Sequence, residues 1–158
     1  MTPVELIEAL AAELREASKD FKYLAEGQPQ KKITVYEQGV PQEEFASDSF
    51  YPLIAVELIA VNDSPECTSI ASVLLTVATY HGERRRDYWR EHLNLCECVR
   101  QYLLGHRTIG KRFTLTGDLY HGVVEPQSES FMFSNFFAQF YIAHLLPSVP
   151  QPIFPPRD

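Results

Sequence analysis

The order of helix-like and strand-like segments predicts an α+β domain with a single, mainly antiparallel β-sheet. Two helices would pack on one face, in the order α-β-β-β-α-β-β. Three observations carry this expectation. Apolar residues recur at helical spacing over 3–25 and 83–104. Two apolar, β-branched runs, 53–61 and 69–80, flank the turn-forming Asn62-Asp-Ser-Pro65. Two later runs, 112–116 and 131–146, alternate in the period-two manner of strands.

Thr2-Pro3-Val4-Glu5 reads as a capping box with proline at the first helical position. Behind it Ile7, Leu10, Leu14, Ala17, Phe21 and Leu24 form one stripe, which predicts a helix from Pro3 to Ala25. The opposite face carries Glu5, Glu8, Glu13, Arg15, Glu16, Lys19 and Lys22, and Gly27-Gln-Pro29 ends the helix. A short strand over Lys32–Glu37 alternates Ile33 and Val35 with Thr34 and Tyr36. Gly39–Phe50, with Glu43, Glu44 and Asp48, has no apolar period and is expected to be an acidic loop.

Leu53–Val61 is apolar on both faces except at Glu57, the pattern of a central strand covered on both sides. A hairpin joins it to Ser69–Tyr80. The helix over 83–104 shows a wide stripe with Trp89, Leu93, Cys96, Val99 and Leu103, flanked by Tyr88, His92, Leu95 and Tyr102. Arg112–Thr116 alternates Phe113 and Leu115 with threonines, and a polar loop with Gly122, Pro126 and Ser128 follows. In Phe131–Leu146, Phe136, Ala138, Phe140 and Ile142 alternate with Phe137, Gln139, Tyr141 and Ala143. These elements make residues 1–146 one domain. The proline-dense segment 147–158 is expected to be an extended arm.

At 158 residues the chain is long enough to bury roughly two thirds of its unfolded surface. A net charge of −7 argues against nucleic acid as the main ligand and against an anionic membrane surface. No apolar run reaches the ~18 residues of a spanning helix. Nor does Met1–Glu5 open with the basic and apolar stretches of a secretory signal. The cysteines Cys67, Cys96 and Cys98 make no disulfide framework and no metal half-site with a second pair, so buried thiols in a reducing compartment are expected.

The patterns of catalysis are missing. His81, His92, His106, His121 and His144 form no zinc-binding pair, and His92 reads as a half-buried packing residue. The seven glycines make no phosphate loop, and no nucleophile elbow is present. Catalytic, cofactor and metal sites are therefore expected to be none, and the chain is read as a scaffold acting through its surfaces. Glu83-Arg-Arg-Arg-Asp87 is the densest charge cluster. Three arginines at a helix N-terminus oppose the helix dipole, so Arg84, Arg85 and Arg86 are candidate contacts to an acidic partner. Glu43, Glu44 and Asp48 of a neighbouring copy would supply one.

From Lys32 to Leu145 the chain resembles the tail terminator (tail completion or neck) proteins of long-tailed bacteriophages. The resemblance lies in Ile33-Thr-Val-Tyr36, Phe50-Tyr-Pro-Leu-Ile-Ala-Val-Glu-Leu58, Val77-Ala-Thr-Tyr80 and Gly110-Lys-Arg-Phe113. The helix containing Leu93-Asn-Leu95 and Val99-Arg-Gln-Tyr-Leu-Leu104, and the closing aromatic strand, complete it. It implies a virion structural protein assembled in the host cytoplasm. Such a protein forms a homo-oligomeric ring, usually a hexamer, that caps the tail tube and meets the head–tail connector, with neither catalysis nor cofactor. DNA would pass through the lumen without specific binding, since six copies at −7 carry about −42. Ile153 and Phe154 place an apolar pair in the arm, which is expected to lie along a neighbouring subunit. Another head–tail connector, such as a head-completion adaptor, and a small enzymatic or ligand-binding domain are the alternatives.

Overall fold

The computed structural model describes residues 2–21, 32–45, 47–64, 68–81, 88–124 and 130–143. Helix α1 (Pro3–Ala17) opens with the expected capping box: Glu5 N–H donates to Thr2 Oγ1 and Thr2 N–H to Glu5 Oε2. The helix stops eight residues short of the expected Ala25. Ser18 closes it by donating both its N–H and its hydroxyl back to the last turn. Phe21 is nonetheless buried in the core; residues 22–31 lie outside the described ones.

Strand β1 (Thr34–Glu37) is followed by a four-residue helix, α2 (Gln42–Phe45), and a 3-10 turn at Asp48–Phe50, where the sequence suggested only a loop. Then come β2 (Leu53–Asp63), β3 (Thr68–Tyr80) and α3 (Tyr88–Gly105). A two-residue β4 (Thr108–Ile109), β5 (Phe113–Val124) and β6 (Phe131–Ala143) complete the chain order. Together the strands form one six-stranded sheet, β1-β2-β3-β6-β5-β4. It is mixed, because β1 pairs parallel with β2 while the other pairs are antiparallel. The α+β class holds, but the element order is richer than expected by one short helix and one short strand.

Alternation decides what each face does. Val73, Leu75 and Val77 of β3 and Phe136, Ala138 and Phe140 of β6 point to one side. There they meet Leu6, Leu10 and Leu14 of α1 and Leu95, Val99 and Leu103 of α3 in one continuous core. Both long helices thus cover the same face. Glu13 ties them together: its carboxylate accepts from the Tyr102 hydroxyl of α3 (3.0 Å) and from Gly110 N–H after β4 (2.7 Å). Gly110 has φ +55°, and a side chain there would come within 3.2 Å of Ala9, so the close approach to α1 requires glycine. Glu13 is therefore a half-buried tether rather than part of a solvated helix face.

Three other expectations are corrected. β2 is covered only over Leu53–Val56, where β1 pairs with it; from Ile59 to Asp63 it is exposed. Its continuous apolar run reflects a protruding hairpin strand with a register irregularity between Leu58 and Ala60, not a strand buried throughout. Gly122 lies inside β5, not in a loop, because a shift in register between Thr116 and Tyr120 absorbs Gly117 and Asp118 and pairing resumes. Trp89 has the phase of the α3 stripe but is 44% exposed. His92, one turn later, already meets Thr79 near the end of β3, so Trp89 lies beyond the strand, with the Arg90 guanidinium over its ring.

Replacing the fully buried Phe140 by alanine is expected to remove about 3–5 kcal/mol of stability in urea unfolding. Glu13→Ala is expected to cost about 1–3 kcal/mol by orphaning two donors. A Glu13→Ala loss below about 0.5 kcal/mol would show that this tether contributes nothing.

Candidate functional site

With both long helices on one side, the other face of the sheet is left largely to itself. Near β1 it is closed by a second, smaller cluster. Tyr51, beside the cis Tyr51–Pro52 bond, packs on Phe131 (4.9 Å between ring centroids) and Tyr80 (6.4 Å), over Leu53 and Ala78. Tyr36 joins this cluster, and burial, then the nearby Glu44 carboxylate, push its phenol up to about 12.

Across β6 and β5 the same face is open. Phe137 and Tyr141 stand on β6 at 36% and 48% exposure, and Tyr120, directly opposite Phe137, is 67% exposed. Tyr120 has a defined seat: its ring atoms lie 3.1 Å from where a Cβ on Gly122 would stand. The absent side chain leaves room for the phenol beside Gly122. Half-buried Ser72, Thr76, Asn135 and Gln139 border these rings; Thr76 donates to Asn135 (3.1 Å) and Gln139 to Ser72 (3.4 Å). The result is an exposed aromatic platform with a polar border, chemistry suited to stacking and docking.

The candidate contact residues named from the sequence are placed in part. Glu43 is exposed and Glu44 half-buried on α2, and Asp48 begins the 3-10 turn that leads into Tyr51. Arg84, Arg85 and Arg86 lie outside the described residues, as do Ile153, Phe154 and the whole segment 144–158. β3 ends at Tyr80, whose ring neighbours Tyr51. The acidic segment thus lies at the end of the sheet where β3 ends. Tyr120, Phe137 and Tyr141 were not singled out by sequence reasoning. The available signal was in β6, where aromatics occupy both alternating sets, Phe136 and Phe140 on one face and Phe137 and Tyr141 on the other.

The histidines form the structure's main buried polar feature. His92, fully buried on α3, meets Thr79 Oγ1 through Nδ1 (2.9 Å) and Ser134 Oγ through Nε2 (2.8 Å); Thr79 Oγ1 also meets His81 Nε2 (2.8 Å). The Glu91 carboxylate, 3.7 Å from His81 Nδ1, favours one direction for the chain. His81 Nδ1–H then faces Glu91 and Nε2 accepts from Thr79, Thr79 accepts from His92 Nδ1–H, and His92 Nε2 accepts from Ser134. With both rings neutral, the three hydrogen bonds linking His81, Thr79, His92 and Ser134 are all matched donor to acceptor. His92 is therefore fully rather than half buried, a locked packing residue inside the core. Cys96 lies 3.6 Å from His92 Nε2, and burial pushes its thiol up to about 11, which makes it a poor nucleophile. Cys98, two residues on, is half-buried. His121 stacks on Phe136 (4.3 Å), with its Nε2 buried and unpartnered.

Among the described residues, no group of three or more His, Cys, Asp and Glu side chains could hold a metal ion, and no helix is long and apolar enough to cross a membrane. No protein-family model and no curated protein matches the chain.

Burial, with the neighbouring His81 and His121 adding to it, lowers His92 to about 4; burial alone also lowers His81. The unfolded chain takes up a proton near pH 6.5 while folded His92 does not, so stability is full above pH 6.5 and falls as the pH drops towards 4. The His92 contribution to this loss is on the order of 3 kcal/mol. Urea midpoints from pH 8 to 4 are expected to fall less steeply for His92→Leu than for the wild type, from a lower starting value. Parallel curves would contradict the role assigned to His92.

Proposed function

We propose that this chain is a structural virion protein that resembles a phage tail terminator: a ring-forming subunit that caps the tail tube and joins it to the head-side connector. The observation that carries the reading is the one-sided cover of the sheet. A face bearing Tyr120, Phe137 and Tyr141 and a hairpin strand exposed from Ile59 to Asp63 are unlike patches on one small subunit. Rings of identical chains are built from contacts between unlike patches, because head-to-tail association closes only when one surface fits a different one. The sequence pattern from Lys32 to Leu145 supports the family reading, and the α+β class is compatible with it.

In this reading the subunits form a ring, usually of six, whose partners are the tail tube protein on one side and connector proteins on the other. The Glu43–Glu44 helix, the arginine segment 84–86 and the arm with Ile153 and Phe154 add charged and apolar contacts between neighbours. The net negative charge suits a lumen through which DNA moves without sticking. No chemical step is assigned to the chain.

Mass photometry and negative-stain imaging are expected to show a ring of five to seven subunits whose size does not change with concentration. That ring should co-sediment with polymerised tail tube rather than with portal complexes. Binding to portal alone would move the protein to the head-completion adaptors, and a monomer at every concentration would remove the ring reading.

A further inference from the structure

Two features meet in their chemistry. One is the platform of Tyr120, Phe137 and Tyr141 on the uncovered face. The other is the sequence that follows β6, which includes Pro147, Pro150, Pro152, Pro155 and Pro156. Proline removes backbone donors and fixes φ, so such a segment neither propagates a helix nor enters a sheet interior. It presents a pre-extended ribbon with little entropy left to lose on binding. Surfaces that take such ribbons are flat and aromatic, with rings against which pyrrolidines stack.

The dimensions agree. Phe137 and Tyr141 are four residues apart on one strand, about 13 Å, and Tyr120 stands beside Phe137 at the cross-strand spacing of about 5 Å. Ten residues in polyproline II conformation span about 31 Å, enough to cross the platform and continue. Gly122 gives the Tyr120 ring its place beside β5, and the bordering amides and hydroxyls of Asn135, Gln139 and Ser72 offer partners to the carbonyls that a proline-rich ribbon leaves unpaired.

We infer that the platform of Tyr120, Phe137 and Tyr141 is the docking surface for the proline-rich segment Pro147–Pro156 of a second copy of this chain. The choice of a second copy rests on the ring reading, in which one subunit's arm on the next subunit's face is the head-to-tail contact. β6 ends at Ala143, paired with Thr68 beside the exposed end of the β2–β3 hairpin. To lie on its own platform a segment beginning at Pro147 would have to reverse within His144-Leu-Leu146, which offers no turn-forming residue.

Two full-length variants test this. The first, Tyr120→Ala with Tyr141→Ala, keeps the arm and loses the platform. The second, Pro150→Gly, Pro152→Gly and Phe154→Ser, keeps the platform and loses the arm. Sedimentation velocity is expected to show each variant alone as a monomer and their equimolar mixture as a dimer, one intact arm on one intact face. Circular dichroism and the melting temperature check folding, and the substituted platform residues are exposed. Should a variant fail to fold, an excess of the synthetic peptide PSVPQPIFPP is expected to dissociate the wild-type assembly.

Self-association of the first variant at the wild-type level, a mixture that stays monomeric, or no effect of the peptide where it is the test overturns the inference. So does a wild-type monomer whose platform is covered by its own arm. The ring reading is judged separately. A wild-type ring of five to seven with an equally ring-forming first variant removes only the arm's docking site. Complementing variants from a wild-type protein that is not a ring remove only the ring.

Discussion

The uninterrupted pairing of β3 with β6, from Thr68 opposite Ala143 to Tyr80 opposite Phe131, is the constraint on which the rest of the structure depends. Register fixes every side chain on these strands to one face or the other, and a slip of one residue would exchange the two sets. The pairing sends Val73, Leu75, Val77, Phe136 and Phe140 under the helices. It sends Phe137 and Tyr141 outward. The helices cannot cover both sides, because α1 and α3 are tethered to one another through Glu13 and Tyr102 on the same side. An aromatic outer face is the consequence of a core that is complete on only one side.

The buried polar chain from Glu91 through His81, Thr79 and His92 to Ser134 belongs to that core. It resembles a catalytic relay in composition, yet His92 and Ser134 are fully buried and the Cys96 thiol is pushed up by its surroundings. Hydrogen-bonded polar groups inside an apolar core fix α3 over the ends of β3 and β6. Among the described residues, His92, Thr79 and Ser134 thus serve the architecture of the core.

Much of the helical and hairpin structure was legible in the sequence because local signals agreed with tertiary ones. The Thr2–Glu5 capping box forms as read, and β2 and β3 pair as the expected hairpin, although Asn62 and Asp63, read as turn, still belong to β2. What was not legible depended on length and cover. An apolar run such as Leu53–Val61 looks the same whether its far half is buried or protrudes, and here it protrudes. The stretch after Thr116 reads as a polar loop, but cross-strand pairing on both sides of Gly117 and Asp118 makes them an irregularity within one strand. The parallel β1–β2 pair has no local signature at all. The platform was hidden for a related reason: Tyr120 and Phe137 meet only across strands, and Gly122 looks like punctuation until the ring lying on it is seen.

The outer sheet face is the proposed association surface. Hydroxyl-radical footprinting over a range of protein concentrations tests it most directly, with Trp89, exposed on the first turn of α3, as an internal reference. The account predicts that Tyr120, Phe137 and Tyr141 lose reactivity relative to Trp89 as the assembly forms. Equal reactivity of all four in the dissociated and the assembled protein would contradict it.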